Sequence, residues 1–134
     1  MRVTVAGSGM KNILWIGLGG FLGSILRYIV SGAVHQWHRG IDFPYGTLVV
    51  NLIGCLLIGA LSQVAETRGI IGPQTRMFLF IGVLGSFTTF STFGNETLNL
   101  VFDRNGLLAL ANVGLHIFAG LAAVWLGRVL AIQI

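Results

Sequence analysis

Four long apolar runs follow one another along the chain, separated by short polar segments. A transmembrane helix needs about 20 predominantly apolar residues, and each run reaches that length. The runs cover residues 13–34, 46–65, 77–102 and 106–127. Arg27 and Glu96 are the only charged residues inside them. The pattern therefore predicts an all-α integral membrane protein, with a single domain over residues 1–134 that contains four transmembrane helices.

The composition excludes several classes of protein. Charged residues make up 9% of the chain, against about 25% in an ordinary soluble domain. The mean hydropathy of +0.86 is also too high for a disordered chain, which needs low hydrophobicity and high charge. The single cysteine, Cys55, excludes an internal disulfide framework. The sequence shows no nucleophile–base pair, no paired carboxylates and no metal-ligand spacing, so we do not expect an enzyme.

The eight basic residues stand singly beside the apolar runs, so we expect no nucleic-acid partner despite the net charge of +4. Four spans would place both termini on one side of the membrane, which then carries more basic residues than the other. That side has Arg2, Lys11, Arg68, Arg76 and Arg128, and the other has Arg39 and Arg104. The positive-inside rule places the termini in the cytoplasm, with a bias modest enough to leave the topology open. Residues 1–10 are expected to form a loose lead-in, with Met1 or Met10 as the start.

The third run contains the densest polar cluster, at residues 85–94, where five hydroxyl residues alternate with phenylalanines. A continuous helix would place Phe87, Phe90 and Phe93 roughly on one face. The small and β-branched residues lower helix propensity, however, and favour a helix broken near the middle of the third span. Freed carbonyls at such a break suit a cation, and the N-terminus of the second half suits an anion. The alternative is that the hydroxyls donate to carbonyls four residues earlier.

Polar residues in the other runs have two interpretations each. Thr47 and Asn51 are four apart and share a helix face, where the Asn51 amide serves either a functional role or an interhelical hydrogen bond. Arg27 either snorkels to the interface or draws anions into a vestibule. His116, four residues after Asn112, either extends a polar track or packs in the core.

Glu96 and the glycines are also open to more than one interpretation. Glu96 is a proton site, a salt-bridge partner or a residue near the membrane surface. Gly19 and Gly23 form a small-xxx-small pair, and further glycines fall in the second and third runs. Such residues let helices approach closely, either within one chain or between chains. Because four helices cannot enclose a pore and remain packed, we expect any permeation pathway at a subunit interface.

Hydroxyl groups, amide N–H groups and the positive edges of aromatic rings together favour a small, strongly hydrated anion. The residues alone thus indicate a small-anion pathway. One alternative is a proton-coupled transporter of the small multidrug type, which needs an acid deep in its first span where this chain has only Arg27. Another is a non-transporting membrane subunit, which would not call for so many buried donors.

Three motifs in order resemble the Fluc (CrcB) family of fluoride channels. They are Gly19-Gly20-Phe21-Leu22-Gly23-Ser24-Ile25-Leu26-Arg27-Tyr28, Gly46-Thr47-Leu48-Val49-Val50-Asn51, and Gly85 through Phe93 with Thr-Thr-Phe-Ser-Thr-Phe. The resemblance covers essentially all four spans. It implies an antiparallel, dual-topology homodimer in the cell (inner) membrane, with two pores along the interface. It also implies passive, selective export of fluoride from the cytoplasm and hence fluoride resistance.

The resemblance also implies roles for individual residues. Phe90 and Phe93 would line the pore with their ring edges, and the Asn51 amide would donate to the ion. Thr47 and Ser91 would belong to the hydroxyl track of the pore. The remaining implied roles are a carboxylate near the end of the pore (Glu96), the arginine of the first helix (Arg27), a polar-track position on the fourth helix (His116), and backbone carbonyls that hold a central, structural sodium ion (Gly85 and Thr88).

Overall fold

The computed structural model describes residues 8–37 and 43–133. Four helical spans in this part of the chain are long and apolar enough to cross a membrane, which confirms the all-helical prediction. The spans cover Gly9–Trp37, Tyr45–Arg68, Pro73–Phe102 and Gly106–Ile132. Each span contains one of the four apolar runs. Met1, Arg2 and Arg39, which entered the predictions of start and topology, lie outside the described residues.

The spans are built from seven α-helices and two π-helical segments within the described residues. The helices are α1 (Ser8–Trp37), α2 (Tyr45–Arg68), α3 (Pro73–Arg76), α4 (Gly85–Phe87), α5 (Phe90–Phe102), α6 (Gly106–Gly114) and α7 (Gly120–Ile132). The π-helical segments are Met77–Leu84 in the third span and Leu115–Ala119 in the fourth. The expected loose lead-in through Met10 is wrong for its last residues, because α1 already begins at Ser8. Met10 and Lys11 are good helix formers and extend the helix toward the N-terminus.

Local sequence explains where the second and third spans begin and end. Pro44 precedes α2, and Pro73 opens α3 at the first helical turn, where a missing N–H group costs least. Helix α2 ends at Arg68 because Gly69 adopts a left-handed conformation with a φ of 62°. Both prolines therefore stand at the starts of spans.

Extended backbone separates α4 from α5 inside the third span. Thr88 has a φ of −79° and a ψ of 158°, and Thr89 has a φ of −151° and a ψ of 114°. This change of direction also separates the phenylalanines. Phe87 is only 5% exposed, whereas Phe90 is 83% exposed, so the common face expected of a continuous helix does not form. The 3.6-residue period on which that expectation depended does not continue through extended residues.

Glycines bring the spans together in two pairs. Helix α1 packs mainly against the π-helical segment Met77–Leu84, where a Cβ on Gly82 would lie 2.8 Å from the Gly19 Cα. Helix α2 packs mainly against α7, where a Cβ on Gly59 would lie 3.0 Å from the Val124 Cα. A Cβ on Gly23 would collide with Val83 and Ser86. Of the two readings of the small residues, these contacts favour packing within the chain.

Few side chains are fully buried in the described part of one copy. Val50 and Asn112 are the largest of them, and large apolar side chains cover much of the outer surface. In a bilayer, lipid tails cover such a surface at no hydrophobic cost. Asn112 differs from this apolar surface, because it is polar and fully buried in the single copy.

Candidate functional site

The side chain of Asn51 is paired with the backbone of Thr89 at the interruption of the third span. Asn51 Nδ2 donates to the Thr89 carbonyl at 3.2 Å, and the Thr89 N–H donates to Asn51 Oδ1 at 2.9 Å. The amide thus gives an acceptor to the Thr89 N–H, which the extended backbone leaves without a helical partner, and it also donates to the Thr89 carbonyl. An amide nitrogen carries two protons, and only one of them is used in this pair.

The hydroxyl of Thr89 caps the helix that follows. Thr89 Oγ1 accepts from the Thr92 N–H at 3.2 Å and donates to Thr92 Oγ1 at 3.0 Å. The Ser91 Oγ lies 3.3 Å from the same oxygen. Threonine is a favoured N-cap because its oxygen accepts one of the first N–H groups of the helix. Helix α5 therefore starts at Phe90 with its first turn fixed.

These side-chain bonds release two backbone carbonyls from their helical donors. In a continuous helix, the Thr89 N–H would donate to the Gly85 carbonyl, and the Thr92 N–H would donate to the Thr88 carbonyl. Instead, those donors go to Asn51 and to the Thr89 hydroxyl. Carbonyls of an unwound helix are suitable ligands for an alkali cation. Within the described residues, His, Cys, Asp and Glu form no cluster of three or more that would hold a metal ion.

A second hydrogen bond joins the same two spans closer to the start of α2. Thr47, which is buried, donates from Oγ1 to Glu96 Oε1 at 2.8 Å. Glu96 Oε2 is buried and has no partner in the described part of the chain. Both residues line an open cavity of about 510 Å³ that also contains Arg27. Thr47 and Asn51 thus both reach the third span from one face of α2.

A larger groove lies at the interruption itself, with Thr88 and Thr89 in its lining. Its volume is about 820 Å³, and its lining is mainly apolar. The polar and aromatic groups in the lining include Asn51, Thr88, Phe90, Phe93 and His116. The Phe90 and Phe93 ring centroids are 5.4 Å apart, with the ring planes at 54°. Phe90 projects from the surface of the single copy.

The His116 ring packs against the Phe93 ring at a tilt, and its Nδ1 atom is hydrogen-bonded to the backbone. The ring centroids of Phe93 and His116 are 4.3 Å apart, with the planes at 39°. His116 Nδ1 lies 2.9 Å from the Asn112 carbonyl, which requires a proton on Nδ1. His116 Nε2 is buried and has no partner among the described residues.

The structure divides the predicted site residues between these two spaces. Arg27, Thr47 and Glu96 share the smaller cavity, while the groove combines Asn51, Phe90, Phe93, His116 and Thr88. Ser91 and Gly85 line neither space, although Ser91 lies beside the Thr89 cap.

Sequence reasoning missed the roles of Thr89 and Thr97. The available signal for Thr89 was a threonine at the predicted break, where an N-cap of the second half of the helix is favoured. Thr97 lies four residues after Phe93, and at this spacing in a helix a threonine hydroxyl can donate to the carbonyl of the earlier residue.

Comparison with known proteins gives the family. The sequence model of the family described as "CrcB-like protein, Camphor Resistance (CrcB)" matches residues 14–128. The chain belongs to the CrcB family. The matched region contains the second and third spans of this CrcB chain in full and lacks only the start of the first span and the end of the fourth.

Individual relatives match the CrcB chain over nearly its whole length. A protein of Opitutus terrae is 46% identical over 125 residues, which is 92% of this chain and 94% of the relative. A protein of Sorangium cellulosum is 43% identical over 91% of this chain and 95% of the relative. One of Flavobacterium psychrophilum is 40% identical over 91% and 98%. All three carry the name "Fluoride-specific ion channel FluC".

These names describe ion channels, which are not enzymes. Together with the four spans, they make this CrcB chain a multi-pass membrane protein.

Proposed function

We propose that this protein is a fluoride channel that lets fluoride leave the cytoplasm passively across the inner membrane. The observation that carries the proposal is the lining of the groove, where aromatic ring edges stand beside an amide with one unused N–H donor. The names of the relatives support fluoride as the ion.

The chemistry of the lining suits a small anion that sheds its water. Ring edges carry partial positive charge and attract anions without binding them tightly. The unused Asn51 proton replaces one water donor, whereas the Thr47 proton is already donated to Glu96 and Ser91 lies outside the groove lining. Selective conduction needs binding that compensates for dehydration and is still weak enough to release the ion. A lining in which ring edges alternate with single donors compensates for the lost water and still binds the ion weakly enough to release it.

The working unit in this proposal is an antiparallel homodimer. Phe90 is largely exposed in a single copy, and the groove beside it is open along one side. A second copy in the opposite orientation would cover both and convert each groove into an enclosed path. Insertion in both orientations would supply such pairs, and the modest difference in basic residues between the two sides is compatible with that.

The carbonyls of Gly85 and Thr88 fit a structural sodium ion at the centre of the dimer. Both have lost their helical donors, and an antiparallel pair would bring two of them from each copy. The ion, when bound, supplies a fixed positive charge inside the membrane. Asn51 and Thr89 contribute by holding the backbone in the open conformation that exposes these carbonyls.

The smaller cavity is the proposed entrance to the path. Arg27 gives this vestibule a positive charge that attracts anions from water. Thr47 is bonded to Glu96 and lies one helical turn from Asn51, so the vestibule leads toward the groove. His116 completes the polar side of the groove next to Phe93.

Whole cells test this function directly. The chain is expressed in a bacterium that lacks its own fluoride exporter, and retained fluoride is measured with an electrode after exposure to the ion. We expect less retained fluoride and restored growth compared with cells that carry an empty vector. Equal retention in cells whose membranes contain the folded protein would contradict the proposal.

A further inference from the structure

Asn112 is the only fully buried polar side chain among the described residues, and it lies behind the groove. Its exposure is 0%, and it lines neither of the two spaces described above. Its side chain contacts Thr97 and its carbonyl contacts His116, both of which line the groove. Asn112 therefore lies outside the groove and contacts two residues that line it.

The hydrogen bonds of Thr97 fix how the Asn112 amide is oriented. Thr97 Oγ1 donates its single proton to the Phe93 carbonyl at 2.7 Å. The hydroxyl can then only accept, and Asn112 Nδ2 donates to it at 2.8 Å. A connected path of donors thus runs from α6 to the backbone of Phe93.

The backbone of Asn112 holds the same phenylalanine through a second route. The Asn112 carbonyl accepts from His116 Nδ1, and the His116 ring lies 4.3 Å from the Phe93 ring. The π-helical segment Leu115–Ala119 begins just after Gly114, and such segments often occur at functional sites. Phe93 is therefore fixed at its carbonyl by Thr97 and at its ring by His116, and Asn112 connects the two.

We propose that Asn112 is a positioning residue that sets the angle of the Phe93 ring in the pathway and thereby its anion selectivity. This inference rests on the proposed fluoride pathway. A ring edge attracts an anion and a ring face repels it, so a rotation of Phe93 away from the edge-on orientation weakens the attraction and, once the face is presented, reverses it. A residue that locks this ring is consequently a selectivity determinant that never contacts the ion.

Packing alone does not account for an asparagine at this place. Asn112 Oδ1 is buried and has no hydrogen-bond partner in the described residues. An unsatisfied buried acceptor is costly, and a leucine of similar size would fill the same space without it. The cost is explained if the Nδ2 donor is required to orient Thr97.

The sharpest test compares two substitutions at Thr97. Thr97→Val keeps the shape and removes both hydrogen bonds, while Thr97→Ser keeps the hydroxyl. Asn112→Leu removes the donor from the other side, and the double variant Asn112→Leu/Thr97→Val tests whether the two act together. Gly59→Ala is the matched control for general destabilisation, because its Cβ would collide with the Val124 backbone and Gly59 does not line the groove. Efflux of fluoride and of chloride from liposomes is measured for each variant, together with its thermal unfolding midpoint.

We expect Thr97→Val and Asn112→Leu to lower the ratio of fluoride to chloride efflux by about tenfold. The double variant should lose no more than either single variant, because both break one path. Thr97→Ser should keep the ratio, and Gly59→Ala should keep it in spite of a lower unfolding midpoint.

Two results would overturn the inference: an unchanged ratio in a folded Thr97→Val protein, or an equal loss of selectivity in Gly59→Ala. If Asn112→Leu does not fold, the serine and valine variants of Thr97 decide the question alone. Absence of fluoride efflux from the unsubstituted protein would instead contradict the proposed function, so the two failures are distinguishable.

Discussion

Asn51 and Thr89 exchange two hydrogen bonds across the interface between the second and third spans. The pair joins a side chain in the second turn of α2 to the backbone at the interruption of the third span. It satisfies polar backbone groups that would be costly to leave unpaired at membrane depth. It also leaves one amide proton of Asn51 unused in the groove. The same residue therefore serves the fold and the proposed pathway.

Replacing Asn51 should affect stability and conduction together. In Asn51→Leu, the two hydrogen bonds with Thr89 are lost, and we expect a loss of roughly 1–3 kcal/mol in the free energy of unfolding. Fluoride efflux should also fall, since the unused donor is removed. Chemical denaturation and liposome efflux measure the two effects. Asn95→Leu, at an exposed asparagine of α5, is the control. An Asn51→Leu protein as stable as the control would contradict the structural role.

Phe90 should matter for conduction and little for folding, because it is 83% exposed in one copy. Phe90→Ile keeps an apolar side chain and removes the ring edge, which is worth about 0.5–1.5 kcal/mol to a favourable contact. A loss of that size lowers the fluoride efflux rate by up to about tenfold. Phe118→Ile is the control, since Phe118 is 75% exposed and does not line the groove. Equal rates for the two variants would argue against a role for the Phe90 ring.

Two neighbouring glycines of α1 should respond differently to the same substitution. A Cβ on Gly19 would collide with the Phe78 carbonyl and lie 3.0 Å from the Gly82 Cα, whereas a Cβ on Gly20 would meet nothing within 4 Å. We expect Gly19→Ala to destabilise the fold by about 1–3 kcal/mol through overpacking. Gly20→Ala should be neutral or slightly stabilising, because alanine favours helix. Thermal unfolding in detergent measures both, and equal midpoints would contradict the described packing of α1.

The four spans and several local features could be predicted from the sequence. Apolar runs of sufficient length require helices in lipid, and prolines stand where a helix can begin. The four-residue spacing of Thr47 and Asn51 correctly indicated a shared face, because that relation depends on helix geometry alone.

Contacts between distant segments could not be predicted in the same way. Nothing local shows that Asn51 meets Thr89, 38 residues later, or that Asn112 meets Thr97. The composition favoured a break in the third span, but the helical period cannot reveal how the extended residues turn Phe90 away from Phe87. The π-helical segments also depend on packing between spans and leave no clear signal in composition. The roles of the pore residues remain predictions that the experiments described here test.

Sodium should stabilise the assembled dimer if the Gly85 and Thr88 carbonyls hold the ion. A ligand that binds only the folded state raises its unfolding midpoint. We expect a higher midpoint in sodium chloride than in potassium chloride at equal ionic strength. Asn51→Leu should lose this difference, because it frees the Thr89 N–H to return to the Gly85 carbonyl, while Asn95→Leu should retain it. The same midpoint in both salts for the unsubstituted protein would contradict the proposed cation site.

The most direct test of the central claim is anion release from liposomes that contain the purified protein. The liposomes are loaded with both fluoride and chloride, a potassium ionophore is added, and each anion is followed with its own electrode. The account predicts rapid release of fluoride while chloride is retained, with slower fluoride release for Phe90→Ile than for Phe118→Ile. Retention of fluoride by liposomes that contain folded, dimeric protein would contradict it.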